Sequence, residues 1–187
     1  MHHIIFVSHC VLNTAAKVVL FEKDDIAEEE KLRLEFLRKA TEQGVQLIQL
    51  PCPEFTLYGS CRWGHVSNQF DNPFFRDHCR NVLRPYIMQM KEYLAHPERF
   101  KILGVVGIDG SPSCGVDYTG TGGWHGSFSG RQDLPAVLAS CKLSKKPGIF
   151  MDELAKILVE EGLAEAIKLT SLFAAEPDKC LDILEDR

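Results

Sequence analysis

Three short apolar runs constrain this chain more than anything else in it, because each stops at a turn that carries a cysteine. His3-Ile4-Ile5-Phe6-Val7-Ser8 leads to Cys10, and Val45-Gln46-Leu47-Ile48-Gln49-Leu50 leads to Cys52. Ile102-Leu103-Gly104-Val105-Val106-Gly107-Ile108 leads to Asp109-Gly110-Ser111-Pro112-Ser113-Cys114-Gly115. Branched apolar runs of this length, closed by glycine or proline, read as buried strands. In the third turn the glycines let the backbone come close to a bound group, and Pro112 stiffens the loop. Cysteines held by such turns are presented outward rather than packed.

Between the runs the spacing turns helical. Over 26–43, Leu32, Phe36, Leu37 and Ala40 share one side, and Gly44 supplies the stop. Asp71-Asn72-Pro73 opens a second helix with Phe75, Cys79, Val82, Tyr86, Met90 and Tyr93 at helical spacing, and Pro85 is expected to kink or split it. Residues 55–70 read as a long loop of the kind that forms lids and binding loops. Helices are expected at 133–143 and 152–161, with a short strand near 148–150 between them and a mostly helical remainder.

Strands alternating with helices predict an α/β fold: a three-layer, Rossmann-like parallel sheet with helices on both faces. Ligands of such sheets bind beyond the carboxyl ends of the strands, and there Cys10, Cys52 and Cys114 would converge. The 187 residues read as a single domain, with 151–187 a helical C-terminal extension of it.

Composition narrows the function. A net charge of −5 argues against extended nucleic acid, which wants clustered Lys and Arg. No apolar run approaches the roughly 20 residues needed to span a bilayer. Met1-His2-His3 runs straight into a strand, without the apolar centre of a signal peptide. A cytoplasmic location is therefore expected. There, seven cysteines read as metal ligands, catalytic thiols or core residues rather than as a disulfide framework. Three thiolates can hold an iron–sulfur cubane with one iron open, or a zinc ion with an open water position. With no CxxC pair in the chain, spacing alone leaves both open, along with three unrelated core cysteines.

Ser8-His9-Cys10, Cys52-Pro53-Glu54, Ser111-Pro112-Ser113-Cys114-Gly115 and Gly126-Ser127-Phe128-Ser129-Gly130-Arg131, taken in order over residues 3–150, resemble the thiouracil desulfidase family. The resemblance implies a cytoplasmic enzyme with an oxygen-sensitive [4Fe-4S] cluster on Cys10, Cys52 and Cys114. Such an enzyme removes sulfur, as sulfide, from a thiolated nucleobase or similar small thioamide without net redox change. Carried over by motif, Glu54 is the acid/base residue, and Ser111 is a substrate-contacting or proton-relaying hydroxyl with Ser113 as the next candidate. His9, Asp109, Gly110, Gly115 and His125 are candidate substrate contacts, Asp109 being suited equally to holding the cysteine turn.

The chain departs from the family after Cys52-Pro53-Glu54. There Phe55-Thr56-Leu57-Tyr58-Gly59-Ser60-Cys61-Arg62-Trp63 stands in place of a glycine pair and a Pro-Arg step. After Cys10, Val11-Leu12-Asn13 replaces a leucine pair and glycine. The expected partner is a small thiolated base, with no membrane and no extended nucleic acid, and a homodimer is one assembly open to the chain. Two other functions compete: a zinc hydrolase using the same cysteines with Glu54 as base, and a non-catalytic iron–sulfur binding or sensing domain. Cys61, Cys79, Cys141 and Cys180 read as structural, Cys61 lying nearest the site motifs. Trp63 and Trp124 offer flat faces either to a heterocycle or to packing.

Overall fold

Alternation along the first strand, β1 (His2–Val7), decides how the rest must be arranged. Ile4 and Phe6 join one buried cluster and Ile5 and Val7 the other, so both faces of this strand need cover. The computed structural model describes residues 1–18, 24–123 and 125–185. After β1 come α1 (His9–Leu12), a 3-10 turn (Thr14–Ala16), α2 (Asp24–Glu42) and β2 (Gln46–Gln49). Three helices follow, α3 (Pro53–Tyr58), α4 (Ser67–Phe70) and α5 (Pro73–Leu94), leading to β3 (Phe100–Ile108). The second half runs β4 (Thr119–Thr121), α6 (Leu134–Ala139), β5 (Lys142–Ser144), α7 (Ile149–Glu160), β6 (Leu169–Leu172) and α8 (Asp178–Asp182).

The main sheet has the order β2-β1-β3-β6, and every neighbouring pair is parallel. Phe75, Leu83, Ile87 and Met90 of α5 cover one face together with Phe150 and Leu154 of α7. Leu32, Phe36 and Ala40 of α2 cover the other, with Cys180, Ile183 and Leu184 from α8 and the turn after it. This is the three-layer α/β arrangement expected from the strand–helix alternation. From β1 the chain steps outward to β2, then returns to the opposite side of β1 as β3. In parallel sheets such a reversal marks where ligands bind, here the carboxyl ends of β1 and β3. Strands β4 and β5 form a separate antiparallel pair.

A bulge sets the phase of β3. Ile4 pairs with Ile102 but Ile5 pairs with Gly104, leaving Leu103 as the extra residue. Ile102 and Val105 therefore face the α5–α7 layer, while Leu103 and Val106 face the α2–α8 layer. Gly104 is needed for this: its φ is +152°, and a Cβ there would lie 2.5 Å from the Lys168 carbonyl oxygen.

Several local expectations are corrected. Residues 55–70 are not a loop throughout, because Cys52 caps α3, accepting from the Phe55 N–H at 3.4 Å, and Pro53 opens its first turn. Pro85 does not split α5, which runs as one helix of 22 residues. Leu83 and Ile87, buried on either side of it, hold the two halves to the same core and outweigh the roughly 3 kcal/mol that an interior proline costs. The strand expected near 148–150 is instead the start of α7, where the Ile149 and Phe150 N–H groups donate to the carbonyls of Pro112 and Ser113. The helix expected over 133–143 ends at Ala139, and Lys142–Ser144 is β5. Nor is the remainder mostly helical, since β6 adds the fourth strand of the main sheet. Among the described residues no helix is long and apolar enough to cross a membrane.

Candidate metal centre

The first two cysteines are brought together by the β1–β2 pairing. Leu50 N–H donates to the Val7 carbonyl at 2.7 Å, so the two strands end level with each other. Three residues past each strand end stand Cys10, in α1, and Cys52, at the cap of α3. Gln49 Nε2 donates to the His9 carbonyl at 2.8 Å, binding the Cys10 helix to β2. The two thiols interact directly and unequally. Hydrogen bonding to Cys10 draws the Cys52 thiol down to about 7, while hydrogen bonding to Cys52, together with burial, pushes Cys10 far up.

The third cysteine sits on a turn that the fold holds from three directions. Asp109, 5% exposed, accepts at Oδ1 from the N–H groups of Val116, Asp117 and Tyr118 at 2.8, 3.0 and 3.2 Å. Its Oδ2 accepts from Ser171 Oγ of β6 at 2.7 Å. Ser111 Oγ accepts from the Cys114 N–H at 3.0 Å, and Ile108 N–H donates to the Cys114 carbonyl at 2.9 Å. The turn folds back onto its own strand because residue 107 is glycine; a Cβ there would lie 2.4 Å from the Cys114 oxygen. Burial pushes the Cys114 thiol up to about 12, against the pull of the Ser113 hydroxyl 3.5 Å from its sulfur. Ser8, itself 1% exposed, stands beside Cys114, and its hydroxyl, like that of Ser113, pulls the thiol down against burial.

Cys114 is buried in the core cluster rather than presented outward, and it is tied to the other two thiols through Ser113, whose hydroxyl lies 3.5 Å from the Cys114 sulfur and donates to Glu54, two residues after Cys52. Among the described residues no three His, Cys, Asp or Glu side chains are grouped to hold a single metal ion. A cubane spreads its cysteines over separate irons, so its fit is judged by donor chemistry: three free, soft sulfurs from three strand ends suit it.

Glu54 lies in the first turn of α3 and is 8% exposed. Its Oε1 accepts from Ser113 Oγ at 2.6 Å and its Oε2 from Arg62 Nε at 3.1 Å. Ser113 Oγ is in turn 3.4 Å from Ser111 Oγ. Ser111, Ser113, Glu54 and Arg62 thus form one line, ending on the same cysteine turn. Sequence reading missed Arg62 as a site residue. The available signal was Glu54 itself, since a buried carboxylate needs a cation.

The other candidates divide. His9 is half-buried beside Cys10, and burial lowers its pKa despite an opposing backbone hydrogen bond at Leu50. Asp109 spends both oxygens on the cysteine turn and β6, which makes it a scaffold for Cys114. Gly110, at φ +89°, and Gly115, whose Cβ would lie 2.0 Å from the Tyr118 oxygen, shape the same turn. His125 is exposed, and its ring bonds to the Gly123 carbonyl of its own loop at 2.9 Å. Trp63 packs against Phe128 with ring centroids 5.6 Å apart, and Trp124 lies outside the described residues. Cys79 and Cys180 are buried in α5 and α8, whereas Cys61 and Cys141 are exposed.

The uncharacterized protein MJ0003 of Methanocaldococcus jannaschii is similar to this chain, 32% identical over 113 residues that cover 60% of the chain and 67% of the relative. No family model matches the chain, and no solved structure gives a significant match. At that identity and coverage, the chain belongs to the same family as MJ0003.

Proposed function

We propose that the chain is an iron–sulfur-dependent desulfidase that releases sulfide from a thiolated nucleobase or a similar small thioamide. One observation carries this reading: the hydrogen-bonded line Ser111–Ser113–Glu54 runs from the turn that carries Cys114 to the residue two past Cys52, whose thiol interacts with that of Cys10. Cys10, Cys52 and Cys114 would hold the cluster, which supplies a soft Lewis acid for the substrate sulfur. Glu54 takes a proton from the water that attacks the thiocarbonyl carbon. Ser113, already donating to Glu54, and Ser111 behind it give that proton a path back to the departing sulfur. Overall, water replaces the C=S bond by C=O and hydrogen sulfide leaves, so no electrons enter or depart. The carboxylate's general-base contribution is of order 10²–10⁴ in rate. A reducing cytoplasm is the compartment that suits these thiols.

Anaerobic reconstitution followed by iron and sulfide analysis, then sulfide release from 2-thiouracil and 4-thiouracil, tests the reading. A brown protein with about four irons that releases sulfide is expected, with iron lost when Cys10, Cys52 or Cys114 is changed to serine. A colourless protein carrying one zinc would overturn it, as would a fully loaded one that leaves every thiolated base intact.

A further inference from the structure

We propose that Arg62 is a positioning residue, a guanidinium that sets the orientation of Glu54 and locks the Cys10 segment to the Cys52 segment. What Glu54 does there rests on the desulfidase reading; the lock itself does not. Although Cys61 and Trp63 on either side are exposed, the Arg62 side chain is only 4% exposed. Its Nε donates to Glu54 Oε2 at 3.1 Å, one Nη to the Gly59 carbonyl at 3.2 Å and the other Nη to the Ala16 carbonyl at 2.6 Å. Gly59 closes α3, the helix capped by Cys52. Ala16 ends the 3-10 turn that follows the Cys10 helix. One planar group thus spans 46 residues of chain and joins both segments to the same carboxylate. Lysine cannot substitute, because its single ammonium has no fork to reach three acceptors in one plane.

Stability alone does not account for this pair. Burying an ion pair is roughly neutral against apolar packing of the same volume, whereas aiming a carboxylate needs both of its oxygens engaged. Ser113 holds one and Arg62 the other, so the lone pairs that remain have a fixed direction. Misplacing a reacting group by about 1 Å is enough to slow chemistry roughly 100-fold.

The test compares wild type, Arg62→Ala, Arg62→Lys and Glu54→Gln after anaerobic reconstitution, with 4-thiouracil as substrate. Iron content and visible absorption should match wild type in all four. Arg62→Ala should lower kcat roughly 100-fold and leave KM within about twofold; added methylguanidinium should restore at least tenfold, and Arg62→Lys should recover little. In the Glu54→Gln background the same change should cost less than about threefold, because residues acting as a unit are not additive. Wild-type kcat in Arg62→Ala, loss of iron in that variant, or an equal loss in both backgrounds would overturn the proposal. Should Arg62→Ala not fold, Arg62→Lys, which keeps the charge and stem, must show the kcat loss. If wild type itself releases no sulfide, the desulfidase reading falls, and hydrogen exchange decides the lock: amides of 14–17 and Gly59 exchange faster in Arg62→Ala than in wild type if it exists and at the same rate if it does not.

Discussion

Two turns of this chain look alike as sequence and end in opposite physical situations. Gly110-Ser111-Pro112-Ser113-Cys114-Gly115 and Gly126-Ser127-Phe128-Ser129-Gly130-Arg131 are both rich in glycine and serine. In the first, Ser113, Cys114 and Gly115 are buried, backbone groups of the turn bond to β3 and to the start of α7, and the three residues that follow it donate to Asp109. Residues 126–130 of the second are all exposed, and its hydrogen bonds are local, Ser129 N–H to Ser127 Oγ at 3.1 Å and Arg131 to Asp133 and to the His125 carbonyl, with Phe128 packing on the exposed Trp63. Glycine and serine mark backbone freedom and the capacity for short hydrogen bonds. They do not mark chemistry. What separates the turns is the company that Asp109, Gly107 and Ser171 provide to one of them.

The comparison can be broken or sharpened by substitution. Asp109→Ala strips one acceptor oxygen from three half-buried N–H groups and the other from the buried Ser171 hydroxyl, and should destabilise the chain by about 3 kcal/mol, since each orphaned buried donor costs roughly 1–3 kcal/mol. Urea unfolding reads this, and a change under about 1 kcal/mol would erase the distinction between the turns. Glu54→Gln leaves the first turn folded and iron binding intact but should slow sulfide release by about 10²–10⁴. Wild-type turnover in that variant would remove Glu54 from the chemistry. Gly107→Ala presses a methyl onto the Cys114 carbonyl and should cost about 2 kcal/mol, seen as a lowered Tm and reduced iron retention. The smallest effect belongs to the other turn: His125→Ala should alter stability by less than about 0.5 kcal/mol and leave sulfide release at the wild-type rate. A large loss of activity there would bring the second turn into the site.

How much was legible follows from which forces are local. β1 and β3 stand out in the sequence because strands buried on both faces are continuous apolar runs, and the edge strand β2 stands out by its apolar residues bounded by Gly44 and Pro51. Helices α2 and α5 stand out because one face repeats at helical spacing. β6 is hidden: Leu169-Thr170-Ser171-Leu172 has four residues, two of them hydroxyl-bearing, and becomes a strand only beside β3. Helix α3 is hidden by its own cap, since Cys52 reads as a ligand and Pro53 as a turn former before either reads as a helix start. Asp109 is ambiguous on the page, and burial beside three donors makes it a scaffold.

By itself the sequence determined where strands end and which residue types stand at those ends, since alternation, turn chemistry and helix stops act over a few residues. Only the tertiary structure decided which of those groups meet. Ser113 reaches Glu54 across 59 residues and Arg62 reaches Ala16 across 46, distances at which no local preference operates. Those meetings follow from the strand order β2-β1-β3-β6, which sets level three strand ends that the chain visits far apart. Burial then selects the partners, because a carboxylate or guanidinium removed from water must find its opposite charge or hydrogen bond within the fold.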